Sequence, residues 1–196
     1  MGRLKTQKKK SSKSSKPREK SVLGPGGSIS NQKMAQDPSA LIDSALILLQ
    51  TGRADEALGI AQDALALTPK NSPAQLPALN LLGEINVELG EIESAREIFI
   101  QAAGLDPDGS VPESEGGGAE KFLWLAQLSE QGGLDSVQWF EKGVSSLRQT
   151  LQSLQGNSNQ EDASNAQEKK TKLANALCAV AEIYMTDLSY VTLFTK

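Results

Sequence analysis

From Asp37 onward apolar residues recur three and four apart, and Gly, Pro and Ser fall between segments of helix length. No stretch keeps the two-residue alternation of a half-buried strand, so the pattern predicts an all-α body. Asp37 and Ser72 each place a side-chain acceptor directly before a proline, whose missing N–H costs nothing in a first helical turn; both pairs mark helix starts. The expected helices cover 38–51, 54–68, 73–89, 91–105, 117–131, 134–155 and 168–188, with a polar linker over 155–167.

Within this pattern lies an internal repeat. Gly52, Ala57, Ala64 and Pro69 are followed 38 residues later by Gly90, Ala95, Ala102 and Pro107. The roughly 34-residue tetratricopeptide unit has W-x2-L-G-x2-Y on its first helix, A-x3-F on its second and a closing proline. The second copy here reads Leu79-x2-Leu82-Gly83-x2-Asn86, then Ala95-x3-Phe99 and Pro107. The first copy, Leu41-x2-Ser44-Ala45-x2-Leu48 with Ala57, Ala61 and Pro69, keeps the size pattern with fewer identities, and the extra residues fall around 71–74. A third copy runs Phe122-x2-Leu125-Ala126, Ser136-x3-Phe140 and Gly143, without a closing proline. A fourth begins as Leu177-x2-Val180-Ala181-x2-Tyr184 and has no second helix to pair with. The expected architecture is a tetratricopeptide-like solenoid of helical hairpins, about three copies plus one unpaired helix over 37–190, preceded by a disordered tail at 1–36 and followed by a divergent end at 191–196. Small residues permit close helix approach beside a large one, so Gly83, Ala95 and Ala102 should surround Phe99. Trp124 and Trp139 read as core, and Cys178, in the apolar run 177–180, as a small buried thiol.

Charge divides the chain. The net charge of −4 combines a tail of +8 over 1–20, nine Lys/Arg against one acid, with −12 over the rest. The tail has almost no apolar residue to offset chain entropy. It reads as an import signal for a nuclear import receptor, or as solvated chain leaning on its own acidic body. Direct nucleic-acid binding is disfavoured, because no aromatic residues interleave with the lysines and the body is acidic. The sequence has no histidine and one cysteine, which removes His-based triads, His-ligated metal and internal disulfides. No cofactor or metal is implied. With no apolar run of about 20 residues and no signal peptide, the expectation is a soluble protein of a reducing compartment, without a membrane partner.

In this repeat type the first helices line a concave groove that takes an extended peptide. In the second and third copies that face carries Asn80, Glu84, Glu88, Glu120, Gln127 and Glu130, and from Glu84 to Glu120 ten acids stand against Arg96 alone. Such a face attracts a basic ligand, in a salt-dependent way; the bland alternative is an ordinary solvated acidic surface. Glu84 and Glu88 share a helix face, but without a pocket signal they read as surface charges and not as an acid/base pair. The run 116–118 reads as a flexible glycine loop, since no lysine follows in phosphate-loop spacing.

Two strings are more specific than the repeat. AEKFLWLAQLSEQGGLDSVQWFEKGVSSLR at 119–148 and AEIYMTDLSY at 181–190 resemble the fungal-type family of dedicated assembly chaperones of ribosomal protein L four, and the likeness extends over 37–190. That resemblance implies a non-enzymatic chaperone of cytoplasm and nucleus. Its concave face would hold the basic internal loop of newly made ribosomal protein L four, soluble until it joins the large ribosomal subunit precursor. The family is usually longer, with an acidic C-terminal region. The ending VTLFTK does not continue that pattern, which implies a chain shortened at its C-terminal end. Two other readings compete. A cochaperone clamping an acidic C-terminus would need Lys, Arg and Asn where the first copy has Ile42, Leu46 and Leu49. A general tetratricopeptide scaffold or adaptor in another nuclear complex would bind an unrelated peptide.

Overall fold

The computed structural model describes residues 37–154 and 160–186. The tail at 1–36 and the end at 191–196 lie outside those residues, as do 155–159 and 187–190. The described residues form seven α-helices and no strand: α1 (Pro38–Gln50), α2 (Ala54–Leu67), α3 (Leu76–Glu88), α4 (Ile92–Leu105), α5 (Glu120–Gln127), α6 (Gly133–Leu154) and α7 (Gln160–Met185). Each helix packs on the next, and α1 also touches α3. The result is a stack of hairpins, α1/α2, α3/α4 and α5/α6, with α7 added to the end.

Helix starts follow the predicted chemistry. The Asp37 carboxylate accepts from the Ser39 N–H at 3.1 Å, and the Ser72 hydroxyl from the Ala74 N–H at 3.3 Å. The second cap opens a single 3-10 turn, Pro73–Gln75, that feeds α3. This turn absorbs the residues by which the first repeat exceeds the standard unit.

Two helix limits differ from expectation. α5 spans eight residues, not the fifteen of 117–131. Gly116 and Gly118 have left-handed φ values of 78° and 85°, incompatible with a helix, and the chain leaves helical geometry at Leu128. Conversely α7 starts at Gln160, so 160–167 is helix and not linker. That stretch lacks apolar periodicity, but its Ala, Gln and Glu are strong helix formers and extend the packed half of α7.

The core is a column of small residues facing large ones. Ala57, Ala61, Ala64, Ala95 and Ala102 are wholly buried, at equivalent places in the first two repeats. A methyl added at Gly83 would lie 2.4 Å from the Phe99 ring, so the glycine exists to admit Phe99. Ala95 packs with Phe99, as expected, whereas Ala102 turns toward Leu76 and Leu79. Further along, Phe99 stacks on Trp124 (centroids 6.0 Å apart) and Phe122 on Trp139 (6.4 Å), both in the offset range for aromatic pairs.

The longest described connection, between α4 and α5, is held by polar contacts. The carboxylate of Asp106 receives the Lys121 ammonium at 2.7 Å on Oδ2 and the Ser110 and Val111 N–H groups at 2.9 and 3.2 Å on Oδ1. Lys121 also donates to the Gly118 carbonyl at 2.7 Å and lies 4.6 Å from the Phe122 ring centroid. Burial pushes the Lys121 ammonium below the ordinary lysine range, while the hydrogen bond and charge of Asp106 oppose that shift. Ser146 of α6 donates to the Gly109 carbonyl at 3.0 Å. The expected flexible glycine loop is instead packed: a methyl added at Gly116 would lie 2.5 Å from Pro77, and one at Gly117 2.0 Å from Val111.

Candidate functional site

The first helices α3, α5 and α7 bring their charged residues together. Glu120 opens α5, and its carboxylate receives the Lys172 ammonium of α7. Lys172 also bonds Glu168, one helical turn earlier, at 2.9 Å. Desolvation opposes the charge on Lys172, but the hydrogen bonds to Glu120 and Glu168 outweigh it and hold its pKa above the ordinary lysine range. Hydrogen bonding to Lys172 in turn lowers the Glu168 carboxyl.

Glu84 on α3 belongs to the same field. It is half-buried, and desolvation, followed by the charge of Glu120, raises its pKa, while Lys172 acts in the opposite direction. Beside these groups a cavity of about 380 Å³ is lined by Glu120, Leu123, Trp124, Gln127, Phe140, Lys172, Asn175, Ala176 and Ala179. It has an apolar floor with a carboxylate–ammonium pair at its wall. An extended chain with apolar and cationic side chains matches that chemistry.

The six face residues selected from the sequence fall in different places. Glu120 and Gln127 line the cavity, and Glu84 lies within the field of Glu120. Asn80 is committed to the fold: its amide donates to the Gly116 carbonyl at 2.6 Å, and its own carbonyl oxygen is buried without a partner. Glu88 and Glu130 are exposed, at the end of α3 and in the turn after α5, outside the cavity wall.

The acidic count of Glu84 to Glu120 is also altered by the fold. Asp106 is paired with Lys121, Glu113 with Lys169 at 2.5 Å and Glu120 with Lys172, all lysines from beyond that window. Counting charge along one window of the chain missed Lys172, which lies 52 residues beyond Glu120 in sequence and reaches it only through the fold. Its neighbour Asn175 and the apolar floor residues were equally invisible as a site. The sequence signal nearest to them is the fourth repeat copy, which begins at Leu177 on the same helix.

Trp124 is both core and groove, since it stacks on Phe99 and lines the cavity. Cys178 was expected to be buried and is exposed. Leu177 and Tyr184 of the same copy are 42% and 49% exposed, because no second helix covers this face of α7 among the described residues. Among those residues no group of three acidic or cysteine side chains is placed to hold a metal ion, and no helix is long and apolar enough to cross a membrane.

Comparison with known proteins agrees with this geometry. Residues 48–112 match a tetratricopeptide-repeat family. A protein of Emericella nidulans named "Probable assembly chaperone of rpl4" is 66% identical over 148 residues, which are 76% of this chain and 38% of that protein. A Schizosaccharomyces pombe protein of the same name is 34% identical over 133 residues, 68% of this chain and 34% of its own length. A solved structure described as "Assembly Chaperone of RpL4 (Acl4)" superposes with a TM-score of 0.73 at 46% identity, covering 78% of this chain and 56% of the other. The chain thus spans little more than a third of the two curated relatives. By its repeats, its fold and these relatives, the chain has a tetratricopeptide-like fold and is similar over most of its length to part of the proteins named assembly chaperones of rpl4.

Proposed function

We propose that this chain is a non-enzymatic chaperone that holds the basic internal loop of newly made ribosomal protein L four against the face formed by α3, α5 and α7, keeping it soluble for large-subunit assembly. The observation that carries the reading is the 66% identity to a protein named for chaperoning rpl4. The chemistry of the face supports it. Glu84, Glu120 and Glu168 surround a single ammonium, Lys172, so the face keeps a negative surplus beside an apolar cavity. A loop rich in lysine and arginine cannot bury enough apolar surface to fold alone, and a groove of opposite charge neutralises and shields it. The basic segment 1–20 fits the same role as an import signal that carries the complex from cytoplasm to nucleus.

The test is direct binding of the fluorescently labelled basic loop to the purified chain by anisotropy, at low and moderate salt. Glu84→Lys with Glu88→Lys should weaken binding about tenfold or more at low salt and flatten its salt dependence, with unchanged helical circular dichroism. A chain lacking 1–20 should bind as the full chain does. Unaltered affinity in the double variant removes the groove from the account.

A further inference from the structure

Lys172 stands where a basic ligand would be expected to place a cation. Its ammonium touches the carboxylates of Glu120 and Glu168 and also forms part of the wall of the cavity between α5 and α7. We propose that Lys172 is an internal competitor: it occupies the cation position of the groove in the unliganded chain, and a ligand cation engages Glu120 only by displacing it. This rests on the reading of the groove as a site for a basic segment, and it identifies the residue that sets how basic that segment must be.

A comparison within the molecule separates a displaceable lysine from a structural one. Lys121 and its partner Asp106 are 0% and 1% exposed, sealed from any ligand. Lys172 and Glu120 are 32% and 40% exposed, so the ammonium swings into water without unfolding anything. Lys172 is shared between two carboxylates, Glu120 and Glu168. Once it leaves, it can keep its i,i+4 partner Glu168, so its displacement does not strand an unpaired charge.

Three carboxylates against one ammonium also define the ligand. A lone lysine exchanges one ammonium for another and gains little. A segment with two neighbouring cations, one for Glu120 and one for Glu84, neutralises more charge than Lys172 does alone. The competitor therefore filters out sparsely charged chains and admits densely basic ones, a form of selectivity by a built-in rival.

The experiment compares affinities of the full chain and its variants for the labelled basic loop of ribosomal protein L four. Lys172→Met keeps the aliphatic stem and removes the charge; it should bind about three- to tenfold more tightly than the unaltered chain, a change opposite in sign to that of other charge removals in the groove. Lys172→Arg should restore the original affinity. The gain should vanish when Lys172→Met is combined with Glu120→Gln. Lys169→Met serves as the comparison, since Lys169 ties α7 to Glu113 outside the cavity wall and acts on Glu168 through charge alone, leaving Glu120 paired with Lys172. It should tighten binding clearly less than Lys172→Met. Equal or weaker binding by Lys172→Met, or equal tightening by Lys169→Met, overturns the competitor role. If the unaltered chain binds the loop and Glu84→Lys weakens it, that failure belongs to Lys172 alone; if the unaltered chain does not bind the loop, both readings fall.

Discussion

The two halves of the described chain are built by different physics. From α1 to α4 the helices are joined by short turns and locked by size: wholly buried alanines at equivalent positions, and a glycine whose missing methyl makes room for Phe99. From the end of α4 to α7 the helices share an apolar core that includes Leu123, Phe140, Val144, Leu147 and Ala176, and electrostatic and hydrogen-bonded joints are added to it. Asp106 with Lys121, Asn80 with Gly116, Ser146 with Gly109, Glu113 with Lys169 and Glu120 with Lys172 each tie separate segments together. Steric fit tolerates salt and pH, whereas charge pairing is specific and depends on its surroundings. The candidate groove, to which α3 contributes Glu84, lies mostly where charge pairing is added to the apolar core.

The sharpest way to break this contrast is to remove one partner of the sealed pair. Lys121→Met leaves the Asp106 carboxylate buried with only the Ser110 and Val111 N–H groups, and should cost about 3–5 kcal/mol in urea denaturation. Adding Asp106→Asn should recover most of that loss, since the amide oxygen still accepts both N–H bonds. A loss that the second substitution does not repair would assign Lys121 a packing role instead.

The matching change in the other half is smaller. Gly83→Ala drives a methyl into the Phe99 ring and should cost about 1–3 kcal/mol, read from the urea midpoint, without altering the salt dependence of stability. A salt-sensitive loss there would erase the distinction between the halves.

These two sites also mark how far the sequence can be read. Gly83, Ala95 and Phe99 were legible because helical spacing converts sequence distance into spatial contact at fixed offsets, and the same offsets recur 38 residues away. Asp106 and Lys121 are no farther apart in the chain, yet nothing in their spacing announces a pair. A connection without periodicity has no rule that places one side chain against another. The groove shows the same limit. Glu120 and Gln127 emerged from the repeat register, while Lys172, within the helix expected over 168–188, has no spacing that announces a carboxylate 52 residues earlier as its partner. Cys178 failed differently: its local apolar run was read correctly, but burial depends on a covering helix that is absent among the described residues.

The smallest expected effect joins stability to the groove. Glu84 has a folded-state pKa above its ordinary value of 4.5, mainly from desolvation, so it favours folding when protonated and this contribution is lost as pH rises through the folded-state value. Glu84→Gln should be slightly more stable than the unaltered chain at pH 7, by less than either loss above, with the gain gone below pH 4.5. Denaturation at pH 7 and pH 4 checks this. An equal effect at both values would mean that the charge on Glu84 does not strain the fold.

The bound connection between α4 and α5 has a consequence for association rates. Because Asp106, Lys121 and the close-packed glycines fix the angle between the second and third hairpins before any partner arrives, the receiving surface has little of its own freedom to lose. The entropic penalty of complex formation then falls mostly on the incoming chain, and the encounter should proceed at a rate set by diffusion and long-range attraction rather than by rearrangement of the receiver's backbone.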